Sequence, residues 1–254
     1  MQREIGSGAV AIAIEGMTKD YGDVCAVDDL TLTVAEAEVF GLLGPNGSGK
    51  TTTINCLTGL LSPTKGSVKV GGFDVRTEGK KAREIMGVSP QETAVCSYLT
   101  GRENVRLFGE LYSVPRQVLK ARVDGALEKV GLTEDAGRKV GKYSGGMKRR
   151  VSIAMALVTD PRVILLDEPT VGMDPQARRE VWDFVLELRD KGRTVVLTTH
   201  YMEEAEELCD RVGIIDHGKL IALGTPAELK AKYGARDLED VFIQLTGRRI
   251  REGA

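Results

Sequence analysis

The octapeptide Gly44-Pro45-Asn46-Gly47-Ser48-Gly49-Lys50-Thr51 constrains this chain more than any other stretch, because the apolar run Val39 to Leu43 precedes it and a segment of helical length follows. It fits G-x-x-x-x-G-K-[ST], and a buried strand before with a helix after is the setting in which that pattern binds phosphate. A polyphosphate needs many donors at close range. Glycines let backbone N–H groups turn inward, and the helix beginning at Thr51 presents its positive end. Lys50 adds a mobile point charge for β and γ phosphates. The Thr51 hydroxyl suits Mg²⁺, which takes few protein oxygens and completes its octahedron with phosphate and water. The loop predicts an α/β chain that binds a nucleotide; whatever hydrolyses that nucleotide must come from elsewhere.

Composition narrows the partners. With 254 residues the chain is long enough for one large α/β domain, or one domain with an inserted lobe. A formal net charge of −2, with charges interspersed, offers no basic field, so no nucleic-acid partner is expected. Cys25, Cys56, Cys96 and Cys209 have no paired spacing, which argues against a zinc site or disulfide framework and suits a reducing cytoplasm. No apolar run approaches the roughly 20 residues that cross a bilayer, and Met1-Gln2-Arg3-Glu4 lacks the order of a signal peptide.

Ala9 to Glu15 and Leu30 to Val34 read as strands of a half-exposed sheet, with Lys19-Asp20-Tyr21-Gly22-Asp23 as a turn between them. Tyr21 there either stacks on a base or packs partly buried. A helix is expected from Thr51 to Leu61, ended by Ser62-Pro63-Thr64-Lys65-Gly66, and Ser67 to Val70 resumes strand. Glu84 to Ser89 leads as a short strand into Pro90-Gln91, where Gln91 is either an Mg²⁺ or water ligand or an ordinary solvated side chain. From Leu99 to about Lys142 the character is helical, with Thr100 capping one helix and Pro115 opening another that carries Val118, Val123, Leu127 and Val130. That inserted lobe ends at Tyr143-Ser144-Gly145-Gly146, which starts an amphipathic helix through Ile153, Ala156 and Leu157. The turn is a second anion site or simply a helix cap, and Lys148-Arg149-Arg150 reads as a solvated face.

Val163 to Leu166 is a buried strand ending in Asp167-Glu168, where doubly wound sheets place their ligands. Two carboxylates there are costly without a partner. A Mg²⁺ ion and an attacking water supply one, with Asp167 in the metal shell and Glu168 as base or water-orienting group. Asp174-Pro175 opens a helix to about Arg189, and the strand Thr194 to Thr198 delivers His200 to the same end of the sheet, within reach of a γ-phosphate or water. His217 reads as a hairpin-turn residue without a role. Thr225-Pro226 caps a short helix, Leu238 to Leu245 has helical spacing, and Arg248 to Ala254 reads as an unpacked tail.

The phosphate loop, Gln91, Ser144-Gly145-Gly146, Asp167-Glu168, Gly172-Met173-Asp174 and His200 come in the order found in the ATP-binding cassette (ABC) ATPases, which the chain resembles from about Ala11 to Gly224. The resemblance implies a P-loop NTPase core with an antiparallel β subdomain and an inserted α-helical signature lobe. It further implies a single nucleotide-binding domain over 1–254, with approximately 99–142 as the lobe and 225–254 as a C-terminal helical tail. By it, Gly44 to Thr52 and Tyr21 hold ATP, Thr51, Gln91 and Asp167 hold Mg²⁺, Ser144 to Gly146 form the signature, and Glu168 and His200 are catalytic. Tyr143 and Met147 depart from the usual Leu and Gln of that signature; the donors at Ser144 and Gly146 remain, but Met147 cannot hydrogen-bond as glutamine does. Tyr143 to Arg150, with Leu238-Glu239-Asp240-Val241-Phe242 and Leu245-Thr246-Gly247, resembles the separate ATPase subunits of ABC-2 type exporters, the daunorubicin-resistance group among them. This implies a head-to-tail dimer, expected to be a homodimer, peripheral on the cytoplasmic face of the cell membrane and driving export through a polytopic permease. The alternatives are an importer ATPase and a soluble non-transport ABC ATPase.

Overall fold

The alternating N-terminal segments pair with each other. In a computed structural model that describes residues 9–248, Val10–Tyr21 (β1) and Val24–Ala35 (β2) form an antiparallel hairpin turning at Gly22-Asp23. Tyr21 therefore ends a strand instead of standing in a turn. Lys65–Val70 (β4) pairs with the other edge of β1, and Phe73–Asp74 (β5) completes a four-stranded sheet.

A second sheet contains Val39–Leu43 (β3), Met86–Ser89 (β6), Val163–Asp167 (β7), Thr194–Thr199 (β8), Arg211–Asp216 (β9) and Lys219–Gly224 (β10), in the order β10-β9-β3-β8-β7-β6. All neighbours are parallel except β9 and β10. The apolar runs of β3, β7 and β8 are buried throughout because this sheet is covered on both faces. The period-2 pleat divides their side chains. Val39, Leu43, Ile164, Leu166, Val195 and Leu197 pack with the helical lobe, while Phe40, Leu42, Val163, Leu165 and Val196 pack with Ile12, Ile14, Leu30 and Val68 of the antiparallel sheet.

Lys50–Leu57 (α1) follows the phosphate loop and stops short of Leu61, because Thr58 closes it and Gly59, at φ +70°, turns the chain away. Glu84 belongs to a helix, Gly79–Glu84 (α2), and the strand begins only at Met86. In the lobe, Gly101–Leu111 (α3) starts at a Thr100–Glu103 capping box, and Arg116–Lys129 (α4) follows Pro115, with Val123 and Leu127 buried and Val118 exposed. Gly145–Leu157 (α5) starts at Ser144, and Pro175–Asp190 (α6) starts at Asp174, whose side chain caps Ala177 N–H. Met202–Leu208 (α7), Pro226–Tyr233 (α8) and Leu238–Thr246 (α9) complete the helices, and Leu238, Val241 and Phe242 are buried in the core that the lobe shares. Arg248, expected in an unpacked tail, instead pairs with Asp216 Oδ1 at 2.6 Å and contacts His217 Nε2 at 2.8 Å in the β9–β10 turn. The remaining tail residues and Met1-Gln2-Arg3-Glu4 lie outside the described residues. Among the described residues all four cysteines are free, and no helix is long and apolar enough to cross a membrane.

The carboxyl ends of β3, β6, β7 and β8 lie side by side at one edge of the parallel sheet. That arrangement delivers Gly44, Pro90-Gln91, Asp167-Glu168 and His200 to neighbouring loops.

Candidate active site

The phosphate loop is fixed from behind by close backbone packing. A Cβ at Gly44 would lie 2.2 Å from Ile215 O, and one at Gly49, where φ is +107°, would lie 2.5 Å from Ala26 O. Because α1 starts at Lys50, the amides of Lys50, Thr51 and Thr52 have no carbonyl one turn back. The Ser48 hydroxyl is buried without a hydrogen-bond partner, a donor in want of an acceptor. Lys50 is also buried. Its Nζ donates to Gly44 O at 2.8 Å and Pro45 O at 3.1 Å and lies 3.5 Å from Glu168 Oε1. Burial pushes the Lys50 ammonium below its ordinary pKa, against the pull of Glu168 and Asp167. These groups fit a polyphosphate: amides and a hydroxyl lacking acceptors, and a cation that can exchange carbonyl oxygens for phosphate oxygens.

Asp167 is the last residue of β7 and pairs in register with Thr198 of β8. The Thr198 hydroxyl donates to Asp167 Oδ1 and accepts from Glu168 N–H at 2.9 Å, and the same amide also reaches Thr198 O at 3.1 Å. Glu168 thus leaves the strand with its amide doubly held and with φ +51°, the left-handed region that a side chain disfavours. Its Oε2 lies 3.2 Å from His200 Nδ1. Among the described residues that nitrogen makes no other hydrogen bond. Burial would raise the Glu168 pKa, but His200 and Lys50 outweigh it and hold the carboxyl below its ordinary value, so the group is ionised at neutral pH.

Thr51, Gln91 and Asp167 line one cavity of about 690 Å³ between α1 and the lobe, with Ile54, Phe108 and Met155 on its walls. Tyr21, half-exposed, stands at the end of β1 with Lys19 Nζ 5.2 Å from its ring centre, and Val27 of the paired strand packs against Gly49. Ser144, Gly145 and Gly146 do not line that cavity; the Ser144 hydroxyl accepts from Met147 N–H at 3.2 Å as a helix cap. Tyr143 is buried, its hydroxyl donating to Asp135 O at 2.5 Å, and Met147 packs against the core. His217 occupies the β9–β10 turn at φ +46°.

The expectation of a solvated Lys148-Arg149-Arg150 face is corrected. Arg149 is 4% exposed, donates to the carbonyls of Pro90, Gln91, Asp167 and Pro169, and lies one turn before Ile153 on the buried stripe of α5. Arg150 bonds Val130 O and Glu180. The stripe itself was the available signal, since Arg149 is at i−4 from Ile153. Thr198 and Glu204 are further residues that motif reading passes over. Glu204 is fully buried and accepts from Thr170 Oγ1 at 2.8 Å and Trp182 Nε1 at 3.1 Å, and burial raises its pKa.

The sequence profile of a family described as ABC transporter matches residues 27–171. The chain is 44% identical over 238 residues to the linearmycin resistance ATP-binding protein LnrL of Bacillus subtilis (strain 168), covering 94% of this chain and 75% of that protein. It is 46% identical over 237 residues to the daunorubicin resistance ATP-binding protein DrrA3 of Streptomyces coeruleorubidus, covering 93% and 75%. A solved dimeric post-hydrolysis state of the ATP-binding cassette MJ0796 with ADP and Pi superposes with a TM-score of 0.77 at 28% identity, covering 84% of this chain and 98% of that one.

Proposed function

The chain belongs to the ABC transporter family, and from that membership we propose that it is the ATP-hydrolysing subunit of an exporter, paired with a second copy and seated on the cytoplasmic side of a polytopic membrane subunit. The observation that carries the reading is the buried cluster at the strand ends, where Glu168 meets Lys50 at 3.5 Å and His200 at 3.2 Å beside the phosphate loop. On this reading residues 1–254 form a single nucleotide-binding domain, with 99–142 as signature lobe and 225–254 as tail.

ATP lies with its phosphates against Gly44 to Thr52 and its adenine against the exposed face of Tyr21. Lys50 exchanges the Gly44 and Pro45 carbonyls for phosphate oxygens, and the Ser48 hydroxyl gains its acceptor. Thr51, Asp167 and Gln91 would hold Mg²⁺, which when bound neutralises charge on the β and γ oxygens. Glu168, ionised and aimed by its fixed backbone, accepts or orients the proton of the attacking water, and His200 holds that carboxylate from the far side.

Ser144 to Gly146 stand outside the cavity that Thr51 and Asp167 line, so their contact with a γ-phosphate is made across a head-to-tail dimer, the nucleotide drawing the two chains together. MJ0796, a relative, has been solved as a dimer. The membrane subunit docks beside the cavity, where Tyr98 is 84% exposed and Leu111 and Tyr112 are also open to solvent. Val95, between Gln91 and Tyr98, is partly buried and packs on this chain's own core.

Glu168→Gln should keep ATP affinity and lose about 10² to 10⁴ in turnover; wild-type phosphate release from that variant refutes the assignment. Mixing Lys50→Ala and Ser144→Arg chains, each inactive alone, should restore one intact site per mixed dimer. Background activity from verified mixed dimers refutes the shared site.

A further inference from the structure

Arg149 is an unusual buried cation. Among the described residues its guanidinium pairs with no carboxylate, and every hydrogen bond it makes there goes to a main-chain carbonyl: Nε to Pro169 O at 3.3 Å, Nη1 to Pro90 O and to Gln91 O at 3.1 Å, and Nη2 to Asp167 O. Asp167, Glu168 and Glu204 stabilise it through their field, while burial lowers its pKa to about 10, which leaves it charged at neutral pH. An apolar side chain of similar length would fill the space without the cost of desolvating a charge, so packing alone gives no reason for arginine here. What arginine supplies is a rigid planar fork that fixes several acceptors at set separations, which a lysine ammonium, a single point, does not.

The acceptors fall into two pairs. Asp167 and Pro169 flank Glu168, the residue held at φ +51°. Thr198 already grips the Glu168 amide from β8, and Arg149 grips the carbonyl on each side from α5, so the strained backbone that aims the carboxylate is clamped at three points. Pro90 and Gln91 belong to the loop leaving β6, whose side of the cavity faces the lobe. One guanidinium therefore holds the Gln91 loop and the peptide of Glu168 in a single rigid unit.

We propose that Arg149 is the positioning residue that sets the reactive conformation of Glu168 and makes it move with the Gln91 loop; this rests on the reading of Glu168 as the hydrolytic group. Displacing the loop pulls Arg149, and Arg149 carries the displacement to the carbonyls either side of Glu168. The chemistry stays with Glu168.

The test uses the full chain with Arg149→Gln and Arg149→Lys. A misplacement of about 1 Å at a reacting group costs on the order of 10²-fold, so Arg149→Gln should lose about that in kcat while KM and the ATP affinity from nucleotide titration stay within about twofold. Arg149→Lys keeps the charge but not the fork and should lose at least about tenfold; it is the deciding arm if Arg149→Gln does not fold. Amide hydrogen exchange in residues 90–99 should quicken in both variants. Combined with Glu168→Gln, the Arg149 substitution should cost nothing further, because it acts through the group already removed. Unchanged kcat in folded variants, a parallel loss of ATP affinity, unchanged exchange at 90–99, or multiplying losses in the double variant each overturn the proposal. Wild-type turnover by Glu168→Gln alone is a different result: it removes the reading of Glu168 on which the proposal stands.

Discussion

Thr198→Val isolates one hydroxyl on which two acidic residues depend. Thr198 is fully buried, donates to Asp167 Oδ1 and receives the Glu168 amide. Valine matches threonine in shape, so the change leaves no cavity. The lost hydrogen bond to a charged carboxylate is worth about 1.5–3 kcal/mol, whereas the Glu168 amide keeps Thr198 O at 3.1 Å and is not orphaned. Burying a methyl in place of the hydroxyl returns about 0.8 kcal/mol. The net loss of about 1–2 kcal/mol corresponds to a fall of about 2–8 °C in Tm for a chain of this size. Turnover should fall about tenfold, since both acids lose a common support. Thermal melts followed by circular dichroism and phosphate release measure the two effects, and Thr198→Ser, which restores the hydroxyl, should recover most of both. A Thr198→Val protein with wild-type melting and turnover would refute the reasoning that this hydroxyl fixes the acids.

Gly49→Ala forces a side chain into φ +107° with its Cβ 2.5 Å from Ala26 O, and should weaken ATP binding about tenfold or more in nucleotide titration; normal affinity would mean that the loop relaxes freely. Phe242→Ala should destabilise by about 3–5 kcal/mol in urea unfolding, because α9 puts this fully buried ring into the shared core, and a loss below about 1 kcal/mol would show α9 to be dispensable. Burial holds the Glu204 carboxyl above its ordinary value of 4.5, so the folded state favours the protonated form and stability from this group declines as pH rises from 4.5 through the raised folded pKa. Glu204→Gln, neutral at every pH, should flatten that decline and melt higher than wild type at pH 7. A lower melting temperature at pH 7 counts against it.

β3, β7 and β8 were legible because covering both faces requires unbroken apolar runs, and the same runs mark where Asp167 and His200 emerge. The phosphate loop was legible because its chemistry is local, contained in one turn and the first turn of a helix. What escaped reading depends on distant partners. The carbonyls that bind Arg149 lie 18 to 59 residues away in sequence, so the stripe of α5 could show that the middle of three basic residues faces inward but not what it binds there. Thr198 looks like any β-branched strand residue until its register with Asp167 is known. The end of α1 at Leu57 depends on Gly59 taking a positive φ beneath Val75, a contact made only when α1 packs near the antiparallel sheet.

The contact between Lys50 and Glu168 has a consequence for timing. Lys50 lowers the proton affinity of Glu168, and the same ammonium is the group that a nucleotide's terminal phosphates attract. As phosphate draws Lys50 away, Glu168 loses a neighbouring positive charge, which strengthens it as a proton acceptor. On the proposed reading of Glu168 as the base, arrival of a nucleotide therefore arms it, and one lysine serves as the trigger guard as well as the grip.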